Sequence, residues 1–527
     1  MIKVRQVKLE VSADNELNRL ETLLKKTRLK KEDILSYKIT KQSLAARDKN
    51  NILYVYEMVL EIKNEEMYLN TNKNKDICFY EEEKYKFVKS GNKKISNNIV
   101  IVGAGPAGLF AGYILAENGY NPLIIERGKC VEERIKDVEN FWNKGVLNVN
   151  SNVQFGEGGA GTFSDGKLNT LVKDSCGRMK KVFETFVECG APKDILYSYK
   201  PHIGTDKLRN VIINMRNKII DMGGKLLYET TLTNLIVEDN QIKKIIVNDK
   251  DEIDCDALIL AIGHSARDTF KMLYEKDLKI ENKPFAVGLR IEHKQKMLDE
   301  SQYGIKYAKL LSKSTYKLTH QTKSGRGVYT FCMCPGGYVV NASSEENHLV
   351  VNGMSNHGRD EDNSNSAVIV TVNENDYGKE IFAGVNFQRK LEEIAYKIGD
   401  GKIPIQLFKD YKENKVSTNF KDVLPIIKGD YKFANLNDLF SNEINNSIKE
   451  GILCFGNKLK GFDYDNAILA GVESRTSSPI KINRDENFES NIKGVYPCGE
   501  GCGYAGGITS SATDGIKVAE AIGAIYK

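Results

Sequence analysis

The feature that most constrains this chain is the segment AsnIleValIleValGlyAlaGlyProAlaGly at residues 98–108. An apolar strand runs into three glycines spaced as GxGxxG, Gly103, Gly105 and Gly108, and then into a predicted helix at 109–118. In this arrangement the first glycine permits a tight turn, the second lets backbone approach a pyrophosphate, and the third lets helix and strand pack closely. The segment therefore predicts a dinucleotide site with phosphates at the helix N-terminus.

The residues around these glycines strengthen that interpretation. Pro106 suits the first helical turn, where its missing N–H has no intrahelical partner, and Ala107 follows it within the same turn. The second strand ends at Glu126, where a carboxylate can accept both ribose hydroxyls. A glycine-rich turn can join any strand and helix, but strand, helix, strand and acid in register favour a bound FAD or NAD over NADP.

Three further segments resemble the glutathione-reductase-type flavoproteins and occur in the same order as in that superfamily. GluArgGly at 126–128, with Arg127, resembles the acid, basic residue and glycine that close the second strand. Residues 223–263 resemble the meander and AlaThrGly strand, with Ile262 in place of threonine and Gly263 kept. Leu232 of this meander is included among the cofactor contacts that the resemblance implies. The implied cofactor is FAD.

The third segment is glycine-rich and lies at 494–515. It resembles the closing motif in which an acid bonds the ribityl chain. Glu500, which follows Gly499, stands at the acid position, where aspartate is usual. The resemblance places a helix N-terminus, near Gly507 and Ile508, towards the flavin N1 and O2. A positive helix end there would stabilise negative charge on reduced flavin.

The loop at 154–168 contains more glycine and charged residues than we expect of a loop that only connects two elements. We expect its residues Gly158, Gly159, Gly161 and Thr162 to line the cofactor, against the alternative of a mobile surface loop. Together with the segments 200–208, 331–337 and 494–515, the loop resembles a bacterial group of uncharacterised FAD-dependent dehydrogenases that carry a ferredoxin-like N-terminal domain. That resemblance spans nearly the whole chain and implies fold and cofactor, but hardly constrains the substrate.

The predicted fold class is α/β, with a Rossmann-type FAD-binding domain, an inserted α+β substrate domain and a small ferredoxin-like N-terminal domain. The predicted bounds are 1–95 for the small domain, 98–284 and 451–527 for the two parts of the FAD-binding domain, and 285–450 for the substrate domain.

Within residues 1–95 the predicted order is strand, helix, strand, strand and a weaker final helix and strand around 80–88, with strands at 3–9 and 52–62. Residues alternate along the strand at 52–62, which predicts that one of its faces is buried. The first helix is predicted to place Leu17, Leu20 and Leu24 on one face, with Asp14 as the candidate cap of its start.

Candidate catalytic groups are few, because a flavin itself supplies the hydride chemistry. His202 and the pair Arg290 and His293 are candidates for substrate contact or proton transfer, since imidazole exchanges protons near neutral pH. A purely structural role for these histidines is the alternative interpretation.

Four cysteines in two close pairs are candidate redox thiols: Cys332, Cys334, Cys498 and Cys502. Their spacings match neither a disulfide reductase nor a metal site, so small buried hydrophobic residues are the competing interpretation. We predict no metal centre, because four grouped ligands are missing.

Composition excludes several classes of protein. The chain has no apolar run near the roughly 20 residues that cross a bilayer, and no signal peptide is recognisable. Ten scattered cysteines are consistent with reduced thiols in a cytoplasmic protein. The net charge is only +5, but residues 1–97 hold 21 Lys and Arg against 15 Asp and Glu.

The sequence thus predicts an FAD-dependent oxidoreductase acting on a small metabolite. No second GxGxxG follows a strand, so NADH or NADPH would have to dock transiently if it donates electrons. Two alternatives stay open: an RNA-binding or RNA-modifying flavoprotein, suggested by the basic run at 25–31, and a flavin and thiol redox sensor using Cys498 and Cys502. Neither a membrane nor a nucleic acid is the expected partner.

Overall fold

The structure is a computed structural model that describes residues 1–170 and 172–527. Three domains are evident from the pairing of strands. Within the described residues, the helices are too short or too polar to span a bilayer.

The N-terminal domain is a four-stranded antiparallel sheet with two helices. Its elements are β1 (Ile2–Glu10), α1 (Glu16–Thr27), β2 (Ile34–Ala45), β3 (Leu53–Ile62), α2 (Glu65–Thr71) and β4 (Ile77–Phe79). The strand order is β2-β3-β1-β4, and the order of elements along the chain is the one that the sequence predicted. The predicted buried face of the long strand is also found, since Tyr56, Met58 and Leu60 are inaccessible to solvent.

Three local features of this domain differ in detail from the sequence interpretation. Asn15 caps α1 by accepting the Asn18 N–H, whereas Asp14 pairs with Arg19. The buried face of α1 centres on Leu23, and Leu17 is 64% exposed. The last strand ends at Phe79, and the chain beyond it follows the C-terminal helix, with backbone hydrogen bonds from 90, 91 and 93 to 523 and 525.

The dinucleotide domain is built on a parallel sheet that continues into a meander. Its first part contains β5 (Asn98–Val102), α3 (Pro106–Glu117), β6 (Leu123–Ile125), α4 (Val131–Lys144), α5 (Arg178–Glu188), α6 (Thr205–Asp221), β7 (Lys225–Leu227), β8 (Leu232–Glu238), β9 (Gln241–Val247), β10 (Asp251–Leu260), α7 (Arg267–Glu275) and β11 (Ile280–Asn282). Its closing part contains β22 (Ile480–Ile482), β23 (Val495–Pro497) and α13 (Ile508–Ile525).

The parallel order is β7-β6-β5-β10-β23, and the first half of β10 pairs antiparallel with β9 of the meander. The strands of the parallel part are apolar on both faces because helices cover them. Ligand crevices in such folds lie at the carboxyl ends of the strands.

The inserted domain contains β12 (Phe285–Lys294), α8 (Gln295–Ala308), β13 (Thr319–Gln321), β14 (Gly327–Cys334), β15 (Tyr338–Asn341), β16 (Val351–Met354), β17 (Asn363–Val372), α9 (Glu374–Tyr377), α10 (Ala383–Gly399), β18 (Ile403–Leu407), α11 (Phe408–Glu413), β19 (Ile427–Lys428), β20 (Tyr431–Phe433), α12 (Asn442–Lys458) and β21 (Ile468–Glu473). Seven of its strands form a sheet ordered β13-β14-β17-β12-β21-β18-β20, and a small sheet β16-β15-β19 lies beside it.

The end of this domain differs from the predicted boundary at residue 450, which falls inside α12. The chain then returns to place β21 between β12 and β18, so the inserted sheet is complete only at Glu473. The two connections to the dinucleotide domain run side by side, because β11 pairs with β22. Because β21 is the last strand of this sheet along the chain but lies in its middle, the amino-acid composition does not mark where the domain ends.

Candidate active site

A cavity of about 740 Å³ lies between the carboxyl ends of β5 and β10, the start of α13 and the inserted domain. Its wall includes many of the predicted cofactor residues, namely Gly103, Gly105, Pro106, Ala107, Glu126, Arg127, Gly159, Gly161, Leu232, Gly263, Glu500, Gly507 and Ile508. Segments far apart in the sequence therefore converge on one space.

Four other predicted cofactor residues lie outside the wall: Gly108, Gly158, Thr162 and Gly499. Their roles are structural. A Cβ at Gly108 would collide with the carbonyl of Gly103, and one at Gly158 would collide with the Thr162 hydroxyl. The Gly499 N–H donates to Asp514 at 2.8 Å and so holds the closing loop.

Some glycines in the wall are not required by the protein's own packing. Gly105 has an ordinary φ of −77°, and a Cβ there would meet only the Gly159 Cα, at 3.8 Å. A Cβ at Gly506 or Gly507 would have no atom within 4 Å, and φ of 163° at Gly507 is extended backbone. The space in front of these residues is left for a ligand, which fits phosphates at Gly105 and a flavin ring at Gly506 and Gly507.

Glu126 lies at the nucleotide end of the cavity. Its buried carboxylate accepts backbone N–H groups of Ala104 at 2.8 Å, Gly128 at 2.9 Å and Gly156 at 3.0 Å. A carboxylate offers about four lone-pair sites, so this fixed group keeps capacity for a ribose hydroxyl. Beside it, Arg127 lies 4.6 Å over the Phe155 ring and pairs with Asp268 at the rim.

The loop at 154–168 is held tightly and is not a mobile surface segment. The inaccessible guanidinium of Arg134 donates to backbone carbonyls of the loop and its approach, those of Asn152, Val153, Gly156, Glu157 and Gly159. Burial lowers the pKa of Arg134 to about 10, so it remains charged at neutral pH. The Gly158 N–H also donates to the Ala104 carbonyl at 2.8 Å, which fixes the loop against the dinucleotide turn.

The N-terminus of α13, which begins at Ile508, faces the cavity through Gly506, Gly507 and Ile508. The 18-residue helix directs a partial positive charge into this space. Glu500 lines the cavity nearby, and its carboxylate lies 3.2 Å from Nδ1 of His264. His264 also lines the cavity and has a buried Nε2 without a hydrogen-bond partner among the described residues. We infer that this nitrogen is available to a bound group.

Arg290 and His293 do not contact the cavity, and their predicted role in substrate contact is wrong. Arg290 is inaccessible and forms two bonds to Glu473, at 2.8 and 3.1 Å. It therefore positions the Glu473 carboxylate, which does line the cavity. His293 donates to the Phe462 carbonyl at 2.7 Å, and burial lowers its pKa to about 4. The two side chains point to opposite faces of β12, and both are buried because β12 is central in its sheet and covered on both faces, which the sequence alone did not reveal.

His202 lies near the cavity but not in its wall. Its ring stacks on His357 at 5.1 Å, and Nε2 is 3.2 Å from the His357 carbonyl. Burial lowers its pKa. This geometry supports the structural interpretation.

Three of the four candidate thiols, those of Cys334, Cys498 and Cys502, are buried, whereas Cys332 is exposed. Cys334 and Cys498 line the cavity, whereas Cys502 donates to the Leu260 carbonyl at 3.1 Å behind the wall. Burial raises the pKa of all three thiols, to about 12 for Cys502. The cysteines described are all unpaired. Neutral, buried thiols are poor nucleophiles.

We expect these thiols to resist alkylation in the folded protein. At pH 7.5 a pKa of about 12 leaves less than about one in ten thousand of the Cys502 side chains as thiolate. Peptide mass spectrometry after iodoacetamide treatment should show Cys176, which is exposed, labelled well before Cys498 and Cys502. Equal labelling rates for the three residues would contradict this arrangement.

The sequence interpretation missed the wall opposite the nucleotide. Arg359 forms a buried bidentate pair with Asp165, at 2.6 and 3.0 Å, and both residues line the cavity with Lys167, Tyr199 and Lys200. These residues come from three separate segments. The charges of the 154–168 loop were the one visible signal.

Comparison with known proteins agrees with this architecture. A family model described as FAD-dependent protein, C-terminal domain-like, matches residues 284–476, and an NAD(P)-binding Rossmann-like domain model matches 101–148. A domain of unknown function matches residues 1–61. The first match ends close to the observed end of the inserted sheet.

The matches to two curated relatives differ greatly in the length of chain that they cover. An uncharacterized protein of Clostridium beijerinckii is 46% identical over 526 residues, which cover 98% of each chain. An L-amino-acid oxidase of Echis ocellatus is 41% identical over 68 residues, 12% of this chain and 14% of that protein.

Among solved structures, L-proline dehydrogenase from P. horikoshii is similar at a TM-score of 0.35 and 12% identity, covering 82% of this chain and 94% of that one. Glycerol-3-phosphate dehydrogenase from Bacillus halodurans, complexed with FAD, has a TM-score of 0.35 and 10% identity, covering 82% and 65%. TM-scores and sequence identities this low do not indicate a shared substrate or a shared mechanism.

The extent of the Clostridium beijerinckii match, with the two domain models, assigns the family. The chain belongs to the same family as that protein, and it combines an NAD(P)-binding Rossmann-like domain with an inserted domain that matches the model of FAD-dependent proteins.

Proposed function

We propose that the protein is a dehydrogenase that transfers a hydride between the flavin and a small metabolite bound against the inserted domain. The observation that carries this proposal is the continuity of the cavity, which extends from Glu126 past the start of α13 to Glu473 and Lys200. Part of the wall, including Glu473 and Arg359, comes from the inserted domain and not from the dinucleotide turn, and we assign that part to the substrate. FAD, when bound, supplies the two-electron chemistry.

The chain's own residues would hold, orient and polarise the reacting groups. Gly105 and Gly159 leave room for the phosphates, Glu126 is placed for the ribose, and Glu500 for the ribityl chain. The N-terminus of α13 would stabilise negative charge on the ring. Glu473, held by Arg290, and Nε2 of His264, which has no hydrogen-bond partner among the described residues, are two groups in the wall with the chemistry to accept or deliver a proton.

Electrons from NADH or NADPH would enter by transient docking at the cavity. An anaerobic absorbance titration of purified holoprotein with NADH and with NADPH tests this. The nicotinamide that bleaches the oxidised-flavin absorbance at about 450 nm is the electron donor. Absence of bleaching by both, with full bleaching by dithionite, would exclude a nicotinamide donor and move the search to reducing metabolites. Failure to bind FAD at all would overturn the proposed function itself.

The two alternatives have less support. Within the basic run, Lys26 pairs with Asp76 at 2.6 Å and so is partly neutralised. A redox sensor would need reactive thiols, and burial raises the pKa of Cys498 and Cys502.

A further inference from the structure

The part of the cavity wall formed by residues 165–169, 199–200 and 359 carries more positive than negative charge. We define the cationic end as Lys167, Lys200 and Arg359, all of which line the cavity. Asp165 is the carboxylate closest to them, and its two oxygens are engaged by Arg359 at 2.6 and 3.0 Å. Lys167 is farther from it, at 3.8 Å.

Lys200 has no carboxylate within ion-pair distance among residues 1–170 and 172–527, although its side chain is half-buried. Its ammonium lies 5.4 Å from the centre of the Tyr199 ring. Burial, together with the charges of Arg359 and Lys167, lowers the pKa of Lys200 to about 8. A partly buried ammonium without a nearby carboxylate destabilises the folded chain unless a bound ligand supplies the negative charge.

The cationic end is beside the predicted flavin edge and not at the phosphate-binding turn. The Thr509 hydroxyl, in the first turn of α13, donates to the Leu168 carbonyl at 2.7 Å, next to Lys167. A group bound between Lys167 and Lys200 would therefore lie on the substrate side of the cavity.

We propose that the substrate carries an oxyanion, a carboxylate or a phosphate, which binds between Lys167 and Lys200. This inference rests on the proposed function and specifies its substrate class. Arg359, neutralised by Asp165, would fix the wall, and the two lysines would supply the charge. The nearby Glu473 is already paired with Arg290, so it does not neutralise them.

Small anions test this site without knowledge of the substrate. Sodium acetate and inorganic phosphate would be titrated into the holoprotein against sodium chloride at equal ionic strength. Flavin absorbance changes and the thermal unfolding midpoint would both be followed, because a ligand that binds only the folded state raises that midpoint. A response to acetate alone assigns a carboxylate, a response to phosphate alone assigns a phosphate ester, and either response supports the proposal.

The decisive variant is Lys167→Met/Lys200→Met, for which we expect anion affinity to fall at least about tenfold, equivalent to about 1.4 kcal/mol. Lys200→Arg should largely preserve binding because it keeps the charge. Lys296→Met is the matched control, since that lysine is 84% exposed on α8. Identical anion responses in the wild type and the double variant, or no response in the wild type, would overturn the proposal.

Two outcomes separate this inference from the proposed function. If the holoprotein is reduced by NADH but the anions have no specific effect, the oxyanion site is wrong and the dehydrogenase proposal stands. If the protein takes up no FAD, the dehydrogenase proposal fails, and the unfolding midpoint of the apoprotein still tests the anion site. Loss of FAD affinity in the double variant with an unchanged anion response would show that the lysines serve the cofactor instead.

Discussion

Gly105→Val is expected to abolish FAD retention while the apoprotein stays folded. A valine Cβ at this position meets no protein atom closer than 3.8 Å, and φ of −77° suits any residue. Its side chain would extend into the space that we assign to the pyrophosphate. We expect FAD affinity to fall at least about 100-fold, or about 2.7 kcal/mol, because backbone could no longer approach the phosphates.

The measurement is the ratio of flavin to protein absorbance after reconstitution, with thermal unfolding of the apoprotein beside it. Gly506→Val should act in the same way at the flavin end, because its position is equally open. Gly108→Val is the contrasting variant: its side chain collides with the Gly103 carbonyl, so fold and cofactor should be lost together. A Gly105→Val protein that retains stoichiometric FAD would refute the assignment of this turn.

Removing the charge of Glu392 is expected to cause the largest loss of stability. This inaccessible carboxylate accepts from Arg267, at 2.8 and 3.0 Å, and from Arg475, at 2.7 and 2.9 Å. Burial by itself would raise its pKa, but the two guanidinium charges outweigh burial and hold that pKa well below its usual range. The cluster joins α7 of the dinucleotide domain to α10 of the inserted domain.

Glu392→Gln should lower the free energy of unfolding by about 3–5 kcal/mol, because breaking a buried pair leaves buried cations uncompensated. Chemical denaturation at neutral pH would measure it. The control is Glu393→Gln, one residue along, where the side chain is 48% exposed and a change below about 1 kcal/mol is expected. Equal losses from the two substitutions would show that the interdomain cluster does not stabilise the protein.

The sequence by itself determined the dinucleotide turn and its surroundings. The strand, the three glycines, Pro106 and Glu126 lie within about thirty residues, and each has a local requirement of geometry or capping. The order of elements in the N-terminal domain was predictable for the same reason, since periodicity and turn residues are local signals. The meander and the start of α13 at Ile508 were instead implied by the resemblance to the glutathione-reductase-type flavoproteins.

Only the tertiary structure decided which polar side chains reach the cavity. Arg290 and His293 look like catalytic residues along the chain, but β12 is central in its sheet and both faces are covered, so both side chains are buried. Lys200 and Arg359 carry no motif and become neighbours because two separate loops meet beside the 154–168 loop.

The same distinction explains the boundary of the inserted domain and the role of Arg134. β21 joins a sheet whose other strands precede it by many residues, and Arg134 binds carbonyls that become accessible to it only after the loop has folded around it. Local sequence encodes backbone conformation and capping. Pairing between distant segments, and the burial of charge that follows from it, depends on contacts that no local pattern specifies.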